Sequence, residues 1–148
     1  PTADILVKTS DLKGISLNTV LVANMIDEMP AFFIAAALAE GITKIKDVKE
    51  LRAKESDRLQ AMSEALEAFG VKFYLNGDGI VINGLGKDGV FKASKINSHK
   101  DHRIAMVSSI ASLRAEGETT IIDCHNVNTS FPNFIDVCSE AGINIAEA

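Results

Sequence analysis

The chain has 148 residues, 47% of them hydrophobic and 24% charged, which is enough for one domain with a real core and close to the norm for a soluble globular protein. Its net charge of −5 argues against a general nucleic-acid binder, so any anion site must be a local basic cluster on an acidic surface. The most apolar stretch, Met29 to Ala39, is about half of what a bilayer crossing needs, and no targeting signal opens the chain. Cys124 and Cys138 fit neither a disulfide framework nor a zinc spacing; they read as buried free thiols in a reducing cytoplasm.

In chain order, Pro1 stands without a methionine in what reads as a strand, the mark of a cut in a longer chain. An apolar strand at Ile5 to Val7 is followed by Gly14 and a short strand at Ile15. A helix then runs from Pro30 to Glu40, apolar nearly all round and therefore expected to be buried on all sides, with Gly41 at its C-terminus. A strand follows at Ile42 to Val48. Between Glu55 and Phe69, Leu59, Met62, Leu66 and Phe69 recur at helical spacing while Glu64 and Glu67 point outward, which predicts an amphipathic helix. Gly70 ends it. The strand Val71 to Leu75 and the run Asn76-Gly77-Asp78-Gly79 lead by a hairpin into Ile80 to Ile82.

Ile80 to Ile82 also reads as the opening strand of a second copy, because four landmarks recur in order about 75 residues apart: Gly14 with Gly89, Asp27 with Asp101, Gly41 with Gly117, and Gly70 with Gly142. The second copy has a short strand at Val90, an apolar helix from Arg103 to Arg114 and a strand from Thr119 to Asp123. The expected fold is α/β, built from repeated βαβαββ units with buried helices and outer four-stranded sheets. Residues 1–148 form a single partial domain, with units at 1–79 and 80–148 and a third unit missing.

Two charge clusters stand apart from the solvated faces. In Leu51-Arg52-Ala53-Lys54-Glu55-Ser56-Asp57-Arg58, Lys54 and Arg58 share a face if the helix includes Lys54, and a helix N-terminus with two cations suits an anion. The bland alternative is a surface ion-pair ladder. In His99-Lys100-Asp101-His102-Arg103, Asp101 reads as an N-cap. His102 and Arg103 oppose the dipole of a buried helix unless an anion sits between them. Asp27, with Glu28 beside it, holds the matching place before the first buried helix and is likewise a candidate cap.

The stretches IDEMPAF (Ile26 to Phe32), ELRAKESDR (Glu50 to Arg58), DHRIAM (Asp101 to Met106) and TSFPNF (Thr129 to Phe134) resemble, in order and spacing, the C-terminal domain of the 5-enolpyruvylshikimate-3-phosphate synthase family, and the resemblance covers essentially the whole chain. It implies two domains of three units each with the active site in the cleft between them. The implied reaction moves the enolpyruvyl group of phosphoenolpyruvate to the 5-hydroxyl of shikimate-3-phosphate and releases phosphate. It runs through a tetrahedral intermediate with neither metal nor organic cofactor, in a monomeric cytoplasmic enzyme of aromatic amino-acid biosynthesis. Carried over residue by residue, Asp27 matches the carboxylate at the 5-hydroxyl, Lys54 a contact to the sugar-like substrate, and Glu55 the acid that protonates the methylene carbon. Arg58 and Arg103 match arginines that hold phosphoenolpyruvate, and His102 lies beside them as a supporting group.

The chemistry agrees with these assignments, since guanidinium forks suit carboxylate and phosphate and two carboxylates are available to move protons. Thr129 stands where some members carry a lysine, and Glu50 where some carry asparagine. The partner implied is the family's N-terminal domain, which this chain does not contain, so the fragment alone is expected to be inactive. The competing readings are the sister enolpyruvyl transferase acting on a UDP-sugar, for which neither KESDR nor a histidine after Asp101 is expected, and a non-catalytic α/β repeat module. A nucleotide loop at Gly84-Leu85-Gly86-Lys87 lacks the following Ser/Thr and helix.

Overall fold

The computed structural model describes residues 2–147. The first half is organised by one parallel β–helix–β crossing. Strand β1 (Ser16–Leu17) leads through helix α1 (Thr19–Asn24), a 3₁₀ turn at Ile26–Glu28 and helix α2 (Met29–Leu38) into β2 (Ile42–Ile45), which pairs parallel with β1. Pro30 sits in the first turn of α2, where its missing N–H leaves no bond unmade. Helix α3 (Arg58–Ala68) then connects to the hairpin β3 (Lys72–Asn76) and β4 (Gly79–Asn83), and the sheet order is β1-β2-β4-β3.

The hairpin turns at Gly77, whose φ of +60 belongs to the left-handed region that glycine enters without strain. Its register, Asn76 opposite Gly79, carries Ile80 and Ile82 into the core at 0% exposure. The second half repeats the crossing: β5 (Phe91–Lys92) and β6 (Lys95–Asn97) pass through α4 (His102–Ala111) to β7 (Ala115–Glu116) and β8 (Thr120–Ile122), pairing parallel as β5 with β7 and β6 with β8. Short helices α5 (Val127–Ser130) and α6 (Phe134–Glu140) follow.

Helices α2, α3 and α4 pack against one another behind the sheets. Their core holds Met29, Phe33, Leu59, Met62, Leu66 and Phe69, with Phe69 stacked on Phe91 at 4.7 Å between ring centroids. Each of these side chains contributes about 2 kcal/mol by leaving water. A second cluster gathers Ala105, Val127, Phe134 and the free thiol Cys138; the other free thiol, Cys124, is only partly buried.

Several expectations are corrected. Ile5 to Val7 pairs with no strand among the described residues and its side chains are 81–86% exposed, because an apolar run becomes a strand only beside a backbone partner. The strand 79–83 belongs to the first sheet, so a division at 79/80 would cut a hairpin. The second half has two short parallel ladders in place of a four-stranded sheet. Helix α3 starts at Arg58, where the Asp57 carboxylate accepts the Gln60 N–H at 2.9 Å, so Lys54 and Glu55 lie before the helix. Helix α4 is not buried on all sides, since Ile110 is 45% exposed and Leu113 beyond it 54%.

After β4 the backbone runs tightly along α2, Gly84 N–H donating to Gly41 and Leu85 N–H to Ala37. A Cβ on Gly84 would stand 1.9 Å from the Ala39 carbonyl oxygen, whereas Gly86, at φ +82, has open space around it. Gly84→Ala should therefore destabilise the chain by about 3 kcal/mol or more through a forced backbone shift, and Gly86→Ala by about 1–2 kcal/mol through conformation alone. Urea unfolding measures both; equal losses would contradict the packing described.

Candidate active site

Three separate segments bring their charges to one place. The 3₁₀ turn before α2 carries Asp27 and Glu28, the bend before α3 carries Lys54, Glu55 and Ser56, α3 opens with Arg58, and α4 is entered through Asp101, His102 and Arg103. At the centre lies Arg58, whose side chain is 0% exposed. Its guanidinium is divided among three carboxylates: Nε donates to Asp101 Oδ2 at 2.8 Å, Nη1 to Asp27 Oδ1 at 2.9 Å, and Nη2 to Glu55 Oε2 at 2.5 Å. A buried cation is tolerable only when paired in this way.

The partners differ in how firmly they are held. Asp101 is itself 0% exposed; its Oδ2 also accepts from Ser56 Oγ at 3.1 Å, and its Oδ1 caps α4 by accepting the Arg103 N–H at 2.9 Å. Burial would raise the Asp101 carboxyl, but the bond and charge of Arg58 outweigh it and leave it below the usual carboxylate range. Asp27 is held by Lys54 Nζ at 3.1 Å as well as by Arg58. The Lys54 bond is the largest influence on it; burial works against that bond, Arg58 adds to it, and the carboxyl ends below its ordinary value. Asp27 is thus an ionised acceptor and, as it stands, a weak base. Both bonds end on Oδ1, leaving Oδ2 without a donor among the described residues.

Arg103 is the more open guanidinium. Its Nη1 donates to the Asp27 carbonyl at 3.0 Å and approaches Glu28 Oε1 at 3.3 Å, its side chain is 35% exposed, and Nε and Nη2 have no partner among the described residues. His102 is the partly buried first residue of α4 and joins none of these bonds. Thr129 lies exposed on α5 and Glu50 exposed in the turn Lys49–Ala53. The surface hollow of about 400 Å³ by Asn128, Pro132 and Ile135 and that of about 190 Å³ by Leu12, Ile15 and Phe32 share no residue with the cluster. With Asp27 43%, Glu55 50% and Glu28 62% exposed, the cluster forms an open edge, not an enclosed pocket.

The expected capping by Asp27 does not occur: α2 has no side-chain cap, and the Asp27 carboxylate is spent on Lys54 and Arg58. Sequence reasoning placed Asp101 at its cap but missed its salt bridge to Arg58, and it missed Ser56 altogether. The one available signal was a charged cap before a helix apolar enough to be buried. Among the described residues no group of His, Cys, Asp and Glu is arranged to hold a metal, and no helix is long and apolar enough to cross a membrane.

Removing half of the buried pair exposes its worth. Asp101→Asn should cost about 3–5 kcal/mol at neutral pH because Arg58 stays buried with a partner lost. Since the Asp101 carboxyl is depressed in the folded chain, its contribution is present above the unfolded value of about 3.9 and disappears as pH falls through the folded one. The variant should therefore lose less stability than the parent on acidification below about pH 4. Parallel losses in an acid-unfolding series would refute the pairing.

A family model described as EPSP synthase (3-phosphoshikimate 1-carboxyvinyltransferase) matches residues 1–138. The chain is 48% identical over 147 residues to the 3-phosphoshikimate 1-carboxyvinyltransferase of Hydrogenovibrio crunogenus and 44% identical over 145 residues to that of Coxiella burnetii; each match covers 98% of this chain and 32% of the relative. The chain thus spans about a third of the length of the curated relatives it matches. The solved EPSP synthase of Acinetobacter baumannii superposes with a TM-score of 0.85 at 45% identity over 90% of this chain and 31% of that one. The enolpyruvyl transferase NikO of Streptomyces tendae, at 19% identity and a TM-score of 0.68 over 97% of this chain and 30% of its own, shares the fold. The motifs at the charged edge, the fold around them and these matches together place the chain in the EPSP synthase family.

Proposed function

We propose that this chain forms one wall of an active site that transfers the enolpyruvyl group of phosphoenolpyruvate to the 5-hydroxyl of shikimate-3-phosphate and releases phosphate. The observation that carries the reading is the convergence of Lys54, Arg58 and Arg103 with Asp27 and Glu55, from three chain segments, on one open edge. Both substrates are multiply charged anions, and such an edge meets them with cations and proton-moving carboxylates together.

In this reading, Arg103 grips phosphoenolpyruvate through its unoccupied Nε and Nη2, which present the fork that a carboxylate or phosphate takes in two parallel bonds. Asp27 accepts the hydrogen of the 5-hydroxyl on its free Oδ2. Lys54, already on Asp27, reaches the sugar-like substrate and, by moving onto it, restores basicity to the carboxylate. Glu55 delivers the proton to the methylene carbon. Arg58 fixes the positions of Asp27 and Glu55, and its own phosphoenolpyruvate contact waits on Glu55; His102 supports the entrance of α4. The opposite wall comes from the family's N-terminal domain, in a monomeric cytoplasmic enzyme.

The chain alone should release no phosphate from the two substrates. Joined to the preceding portion of the Hydrogenovibrio crunogenus relative, it should release phosphate, and Arg103→Ala in that protein should lower kcat/KM about 100-fold, the loss of a charge-assisted fork. Full turnover by the chain alone, or an Arg103→Ala variant with unchanged kcat/KM, contradicts the proposal.

A further inference from the structure

Among the three carboxylates on Arg58, Glu55 has a distinct standing. Asp101 is fully buried and has three donors, Arg58 Nε, Ser56 Oγ and the Arg103 N–H. Asp27 is braced by Lys54 and Arg58 together. Glu55 is held by Arg58 Nη2 alone among the described residues, is the most exposed of the three at 50%, and sits in the bend before α3 and not on a helix. A half-exposed carboxylate on a single ion pair is held by little free energy and exchanges readily with solvent ions. Arg58 has no exposed surface while Glu55 is in place.

Resting on the function proposed above, we infer that Glu55 is a place-holder for the anionic substrate: its carboxylate occupies the Nη2 edge of Arg58 in the free protein, and the incoming anion takes that edge by displacing it. Asp101 and Asp27 keep the guanidinium paired throughout, and the swap leaves its buried Nη2 donor bonded before and after. It also frees the Glu55 carboxylate from Arg58 only when substrate has arrived; the proton it then passes to the methylene carbon is first taken from solvent. The anion's affinity is therefore set by competition with Glu55 as well as by the cations.

The test is the apparent Kd of phosphoenolpyruvate for the 148-residue chain, followed by NMR at the Nε–H of Arg58, which its bond to Asp101 protects from exchange. Glu55→Gln removes the competing charge. Glu55→Asp keeps the charge but withdraws it by one methylene, about 1.5 Å. Glu67→Gln makes the same change in net charge on the exposed face of α3. Both Glu55 variants should tighten binding by about threefold to tenfold, the range of one weak charge-assisted contact, while Glu67→Gln stays within about twofold of the parent. If Glu55→Asp binds like the parent, or Glu67→Gln tightens as much as Glu55→Gln, bulk charge explains the effect and the place-holder is wrong, with the transferase reading intact. If phosphoenolpyruvate moves the Arg58 signal in none of the proteins, the place-holder and the proposed substrate contact at Arg58 both fall.

Discussion

One buried guanidinium holds this edge of the molecule together. Arg58 lies under the surface with three carboxylates around it, two of them, Asp27 and Asp101, from the entrances of the two helices that cross behind the sheets. A cation so placed cannot lose its buried partner Asp101 without a penalty of several kcal/mol, whereas the half-exposed Glu55 is held far less firmly. The positions of the turn before α2, the bend before α3 and the start of α4 are therefore fixed relative to one another by a single side chain. A lysine would carry the same charge but not three divergent N–H directions in a plane.

This constraint divides labour among the cations. Arg58 is committed inward and orders the carboxylates, Lys54 tempers Asp27 from the solvent side, and Arg103 keeps donors open. Asp27, a carboxylate at neutral pH in any case, is made a weaker base still by Lys54 and Arg58, which suits accepting a hydroxyl hydrogen more than abstracting a proton from it. Three cations, Lys54, Arg58 and Arg103, stand there against four carboxylates, Asp27, Glu28, Glu55 and Asp101, so under the proposed function an anion enters by exchange of ionic partners.

Much of this was legible in the residues. Helical spacing from Leu59 to Phe69 showed the amphipathic face of α3, the Asn-Gly-Asp-Gly run showed the hairpin, and the charged motifs before the amphipathic and the second apolar helix named residues that meet at one edge. What was not legible depended on tertiary neighbours. Ile5 to Val7 has the composition of a strand, but no sequence rule says whether a partner strand lies beside it. The start of α3 was misplaced by three residues because Asp57, one of the two acids in KESDR, is the one whose carboxylate meets a free N–H. Asp101 was read as a cap, which it is, while its second oxygen serves Arg58 across 43 residues of sequence, a relation that only packing creates. The open flank of α4 at Ile110 and Leu113 was likewise hidden, since an apolar helix reads the same whether or not a neighbour covers it.

The most direct measurement is a thermodynamic cycle for Asp27→Asn and Asp101→Asn in urea unfolding, run once with Arg58 and once with Arg58→Met. If one guanidinium joins the two helix entrances, the two aspartate changes should be non-additive by about 1 kcal/mol or more with Arg58 present and additive without it. Additive effects in both backgrounds would show that Arg58 does not link the entrances.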